Sequence, residues 1–158
     1  MSFLLAEDTV NGAEGKAFIT KDGKNEFLVG LRNIRTVAEI QSNDMRVVGT
    51  RKTQNKNSGA KLSGTGNVYY GSTSLFLDMV LEYIETGVMP SFSIQILNDD
   101  PTVSVGKQNM VYYNCQLTGE IPMSILDDEE AMLNFDFSFS IGSVGRLEAF
   151  KKPAQLGN

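Results

Sequence analysis

Residues 133–141 alternate without a break. Phe135, Phe137, Phe139 and Ile141 take every second position, and Asn134, Asp136, Ser138 and Ser140 stand between them. Successive side chains of an extended strand point to opposite faces, so this pattern predicts a strand with one face in a core and the other in water. The same period recurs over residues 16–20, 60–70, 91–97 and 111–117. In the last of these it places Val111, Tyr113, Cys115 and Leu117 on one face. Asp22-Gly23 is a strong two-residue hairpin signal after the first run. Residues 26–40 read as one long strand or two joined ones, with a bend where the period slips near residues 35–37. Gly64 and Gly66 fall among the apolar positions of their strand, so bulky groups are expected to pack over them.

A single stretch departs from period two. Ser72-Thr73-Ser74 offers N-cap hydroxyls, and residues 75–85 follow with helical spacing. Asp78, Glu82 and Glu85 form one narrow polar stripe, while Leu75, Phe76, Met79, Val80, Tyr83 and Ile84 cover the rest as expected packing residues. Gly87 stands where a left-handed residue ends a helix, and Pro90 blocks continuation. Many strands with one helix predict a mainly β fold, a β-sandwich or barrel with one flanking α-helix, in a single domain over residues 1–158. Residues 42–59, rich in Asn, Ser and Gly, read as a long basic loop.

Composition removes whole classes of chemistry. The 158 residues contain no histidine, which excludes Ser-His-Asp and Cys-His catalysis and histidine zinc sites. Cys115 is the single cysteine, so no internal disulfide or cysteine metal cage can form, and its apolar face suits an inert core residue. Gly64-Thr65-Gly66 would need a glycine at position 69 to complete a dinucleotide fingerprint, and Tyr69 stands there. Asp99-Asp100-Pro101 and the run from Asp127 to Glu130 read as solvated turns without calcium-loop spacing. No enzyme, cofactor or metal site is expected. No apolar run is long enough to span a bilayer as a helix, and the opening residues turn acidic at Glu7-Asp8, unlike a signal peptide. No membrane insertion is expected.

Charge is unevenly placed. Fourteen basic against 19 acidic residues give a net charge of −5, the wrong sign for a general phosphate-backbone binder. Between Met45 and Leu77 there is no acidic residue, while Arg46, Arg51, Lys52, Lys56 and Lys61 are basic. Beyond Asp78 carboxylates prevail. This separation fits a solvated basic loop, or a head-to-tail contact in which that loop meets an acidic edge of the next copy, building rings or filaments. Ser91, Ser93 and Gln95, then Asn114, Gln116 and Thr118, then Asn134, Ser138 and Ser140 are short and uncharged at the outward strand positions. Such a wall would let a polyanion slide past without stalling on bound phosphates.

The ordered series of Arg46-Val47-Val48-Gly49-Thr50-Arg51, Gly59-Ala60-Lys61-Leu62-Ser63-Gly64-Thr65, Tyr69-Tyr70, Thr86-Gly87 with Pro90-Ser91-Phe92, and Asn98-Asp99-Asp100-Pro101-Thr102 resembles phage tail tube proteins. The likeness is to the core tail tube protein of PBSX-type contractile particles and spans roughly residues 18–152. It implies hexameric rings stacked into a hollow conduit for DNA delivery or envelope perforation, with strands of adjacent copies joined in one inner barrel. It also implies Arg46, Arg51, Lys52 and Lys56 as ring-stacking residues, with the termini touching the adjacent ring. The implied partners are further copies, the sheath, the baseplate and a tail terminator, with DNA only as cargo. The implied location is a virion tail assembled in the bacterial host cytoplasm. Two other readings are a type VI secretion-like tube subunit and a monomeric β-barrel binding a small ligand.

Overall fold

The computed structural model describes residues 15–101, 105–129 and 131–151. The terminal segments, expected to touch an adjacent ring, lie outside the described residues, as does Glu130 of the acidic run. Among the described residues, eight strands and one helix follow in the order β1 (Gly15–Lys21), β2 (Lys24–Phe27), β3 (Leu31–Met45), β4 (Gln54–Tyr69), α1 (Leu75–Thr86), β5 (Phe92–Asp99), β6 (Lys107–Thr118), β7 (Asn134–Ser140) and β8 (Ser143–Glu148). All pair antiparallel in one sheet ordered β2-β1-β5-β6-β7-β4-β3, with β8 also on β6. Asp22 and Gly23 turn β1 into β2 with φ of 52° and 78°. Positive φ at both positions matches the right-handed twist of the flanking strands.

β6 folds this sheet into two leaves. Its first part pairs with β5 and β8, and residues 116–118 pair with β7. The corner is at Asn114, whose φ is 52°. There β6 spends three steps, Tyr112 to Cys115, against two on β5, Ile94 to Phe92. An extra residue reverses which side chains face inward. Tyr112 is therefore buried before the bulge and Cys115 and Leu117 after it, while Tyr113 is exposed. The expected single face holding Val111, Tyr113, Cys115 and Leu117 is corrected on this ground. The irregularities of β3 lie between Leu31 and Asn33 and between Gln41 and Ser42, not near residues 35–37.

The core sits between the leaves. Phe137 and Phe139 project inward from β7, as the alternation predicts, and are almost fully buried. Their rings lie on Gly64 and Gly66 of β4, where side chains would collide: a Cβ on Gly66 would stand 2.6 Å from the Phe137 ring and 2.9 Å from the Asn33 carbonyl oxygen. Phe76 of α1 stacks on Phe137 at 4.5 Å between centroids and meets Phe135 edge-on at 6.2 Å.

The helix keeps its expected bounds to within a residue. Gly87 closes it in the left-handed conformation (φ 77°) and donates its N–H to the Tyr83 carbonyl at 2.8 Å. At the other end the Thr73 hydroxyl, not that of Ser74, accepts the Leu75 N–H. Phe76 and Met79 are buried, with Leu75 and Val80 packed beside them. Tyr83 and Ile84 are not: they are 46% and 63% exposed, because only the first two turns of α1 cover the core. Lys21 on β1 holds the outer side of α1 through Glu82 at 3.1 Å.

Residues 42–59 also depart from expectation. β3 continues to Met45 and β4 begins at Gln54, leaving only residues 46–53 as a loop. Both faces of this paired segment are exposed, so no apolar alternation marks it as strand.

Two outcomes follow from the packing. Gly66→Ala must displace Phe137 or the β3 backbone and is expected to lose about 1–3 kcal/mol, a lower melting temperature in thermal denaturation. Burial pushes the Cys115 thiol up to about 11 from its ordinary 9.0. Ionisation thus favours the unfolded chain, so this contribution is complete below pH 9 and is lost as pH rises towards 11. Melting curves across that window should show a smaller alkaline loss for Cys115→Ala than for the unsubstituted chain.

Candidate functional site

Since the core uses one side of the β6-β7-β4-β3 leaf, the opposite side carries the intervening residues. Register aligns Thr118, Ser138, Thr65 and Arg35 across all four strands, and Gln116, Ser140, Ser63 and Val37 in the next row. Asp136, Asn67 and Asn33 form a third. Hydrogen bonds hold these short side chains. Ser138 donates to the Thr118 carbonyl at 2.7 Å. The Asn67 amide donates to Asp136 at 2.8 Å and Asn134 at 3.1 Å, and its oxygen accepts from Arg32 at 3.4 Å. The Arg32 guanidinium lies 5.5 Å from the centre of the Tyr69 ring. Gln116, Thr118, Asn134, Ser138 and Ser140 thus share the face expected of them, whereas Ser93 and Gln95 belong to β5 in the other leaf.

This leaf does not close on itself. Its last strand, β3, and the opposite end of the sheet, β2, have no ladder between them among the described residues. The gap is a cleft of about 800 Å³ whose lining includes Leu28, Ile34, Ile96 and Met110. One side-chain tether crosses from β3 to β6: the Thr36 and Tyr112 hydroxyls share a hydrogen bond of 2.7 Å.

Beyond Ser63, the last residue of β4 laddered with β7, residues 54–62 have ladder partners on β3 alone among the described residues, with the Leu62 carbonyl also accepting the Ile141 N–H at 3.2 Å. At about 3.3 Å per residue this two-stranded ribbon extends roughly 30 Å past the leaf. Ile40 is 61% exposed on it, and Val48 at its tip is fully exposed. Arg46, Arg51 and Lys52 lie in the tip segment, and Lys56 follows on β4 opposite Asn43, all exposed. The tip is turned by Val48-Gly49, with Gly49 at φ 97°, and the Thr50 hydroxyl accepts the Lys52 N–H. Sequence reasoning found these basic residues but missed Arg32, Asn67 and the Thr36–Tyr112 tether. The signal for Asn67 was its place in the alternating polar series Ser63, Thr65, Asn67.

Residues 2–144 match the family described as Phage tail tube protein. The chain belongs to that family. This tube protein is 28% identical over 129 residues to the phage-like element PBSX protein XkdM of Bacillus subtilis (strain 168), covering 82% of this chain and 84% of the relative. Its fold is similar to a chain of the PVC extracellular contractile injection system's sheath/tube terminator in the extended state (TM-score 0.66, 13% identity, 91% of this chain and 100% of that one). It is also similar to a chain of the anti-feeding prophage baseplate (TM-score 0.65, 8% identity, 90% and 97%). A chain of the PVC sheath-tube complex resembles it with a TM-score of 0.61 at 13% identity, covering 91% of this chain and 94% of that one. The tube protein is a structural subunit of a phage-type tail, a virion component.

The Asn67 cluster gives a local test. Asn67→Ala leaves Asp136, Asn134 and Arg32 without their shared partner and should cost about 1–3 kcal/mol in chemical denaturation.

Proposed function

We propose that the tube protein stacks as rings into the inner conduit of a contractile phage or phage-like particle, with the polar face of the β6-β7-β4-β3 leaf lining the lumen. The open outer edge of β3 carries this reading. It is a strand of 15 residues with no neighbour on one side among the described residues. Long unpaired edges are otherwise liabilities, and joining a neighbouring copy's sheet satisfies them. Strand addition around a ring would turn four strands per copy into a continuous wall.

The ring-stacking residues Arg46, Arg51, Lys52 and Lys56 then sit on a ribbon long enough to leave its own ring. Such a ribbon is marginal in water alone, so contact with another copy supports both its fold and its use. Tyr83 and Ile84, exposed in the single chain, would complete their packing at a subunit contact. The face is mostly short and uncharged, with Arg35 and Asp136 the charged residues of its aligned rows, which supports passage of DNA past few fixed cations. Sheath, baseplate and terminator proteins are the further partners, and assembly takes place in the host cytoplasm.

Negative-stain microscopy of concentrated protein tests the whole reading: rings or tubes are expected, and a persistent monomer refutes it. Ser138→Cys provides a lumen label, since Cys115 is buried. Maleimide-gold should decorate the inside of tubes, and gold on the outer surface would overturn the assigned face. Arg51→Glu with Lys52→Glu should leave rings intact but block their stacking, most clearly at low salt.

A further inference from the structure

The connection from β6 to β7, residues 119–133, is anchored at the end of the leaf away from the ribbon. β7 begins at Asn134 opposite Tyr69, the last residue of β4, and Thr118 at the end of β6 pairs with Ser138. The ribbon instead leaves past Ser63 and Ser140. One chain therefore carries its basic tip and both anchors of this connection at opposite ends of the leaf along the strand direction.

The two ends are complementary. The tip presents Val47 and Val48 between Arg46 and the Arg51-Lys52 pair. The segment presents Leu126, fully exposed, and Met123 at 56%, beside the exposed carboxylates Asp127, Asp128 and Glu129. The Asp127 carboxylate already accepts the Glu129 N–H, which draws the acidic residues into one turn. Each end thus has an apolar residue with no cover among the described residues and nearby charge mainly of one sign, Asp44 being the one carboxylate near the tip. An isolated exposed ion pair contributes little, whereas a small apolar contact ringed by opposite charges combines area with orientation.

We propose that the acceptor for the ribbon tip is the 119–133 segment of the next copy along the axis, Val48 packing on Leu126 and Arg51-Lys52 facing Asp127-Asp128. This rests on the stacked-tube reading and adds to it the receiving surface. The contact is heterologous, and with donor and acceptor anchored at opposite ends of the leaf it extends along the axis from copy to copy. Its polar part weakens with salt.

Cysteine pairing tests it in the full-length protein. Val48→Cys combined with Leu126→Cys, oxidised under assembly conditions, should give a ladder of dimers, trimers and longer species on non-reducing gels, collapsing with reductant. Either single substitution should give dimers at most. A bridge inside one chain joins no copies, so the ladder cannot arise from an internal bridge. Rings or tubes seen by microscopy with no ladder would sink the acceptor and leave the tube reading standing, whereas a chain that never assembles would sink both. As a second arm, Asp127→Lys with Asp128→Lys should shorten tubes as Arg51→Glu with Lys52→Glu does. All four together should restore their length, and four-fold variants no longer than either pair would refute the facing of these charges.

Discussion

Two phenylalanine rings lying flat on two glycines set the geometry from which the rest follows. Phe137 and Phe139 occupy volume that any side chain at positions 64 and 66 would need. β4 can therefore run directly beneath the rings, while Phe76 stacks on Phe137 and Phe92 meets Phe139 edge-on. Burial of each ring contributes roughly 1.5–3 kcal/mol, and offset aromatic contacts add to this. The consequence is directional. With the bulk of β7 and β4 placed on one side, their other side is left to Ser63, Thr65, Asn67, Ser138 and Ser140, a smooth polar wall.

The fold closes its core without closing its sheet. Sheets generally protect their edges with short strands, bulges or cover. Here β3 and β4, the longest of the described strands, run past the other described elements. The Thr36–Tyr112 hydrogen bond holds the base of β3, but its outer edge and the ribbon remain open. A subunit that leaves the β3 edge and apolar ribbon residues such as Ile40 and Val48 uncovered among the described residues suits a polymer. Each copy there both gives and receives, and many weak contacts repeated around a ring act together.

Charge is unevenly spread. Four of the 14 basic residues, Arg46, Arg51, Lys52 and Lys56, lie on the ribbon and its tip, while Arg35 and Asp136 are the charged residues of the aligned polar rows. Individually, pairs between exposed charges are weak and screened. In general such pairs orient an apolar contact more than they tighten it.

The strand at residues 134–140, the Asp22-Gly23 hairpin, the helix with its Gly87 stop and the need for bulk over Gly64 and Gly66 were all legible in the sequence. Each depends on local spacing or on the φ a single residue can adopt. The basic residues of the candidate stacking surface were legible too, because charge needs no fold to be counted. Three features were decided only in three dimensions. The bulge at Asn114 reversed the faces of β6, since register against β5 is a property of two strands. The ribbon hid in an apparent loop because neither of its faces meets a core to impose period two. Tyr83 and Ile84 satisfied the helical pattern yet stay exposed, for periodicity says which side of a helix is apolar but not how far the core beneath it extends.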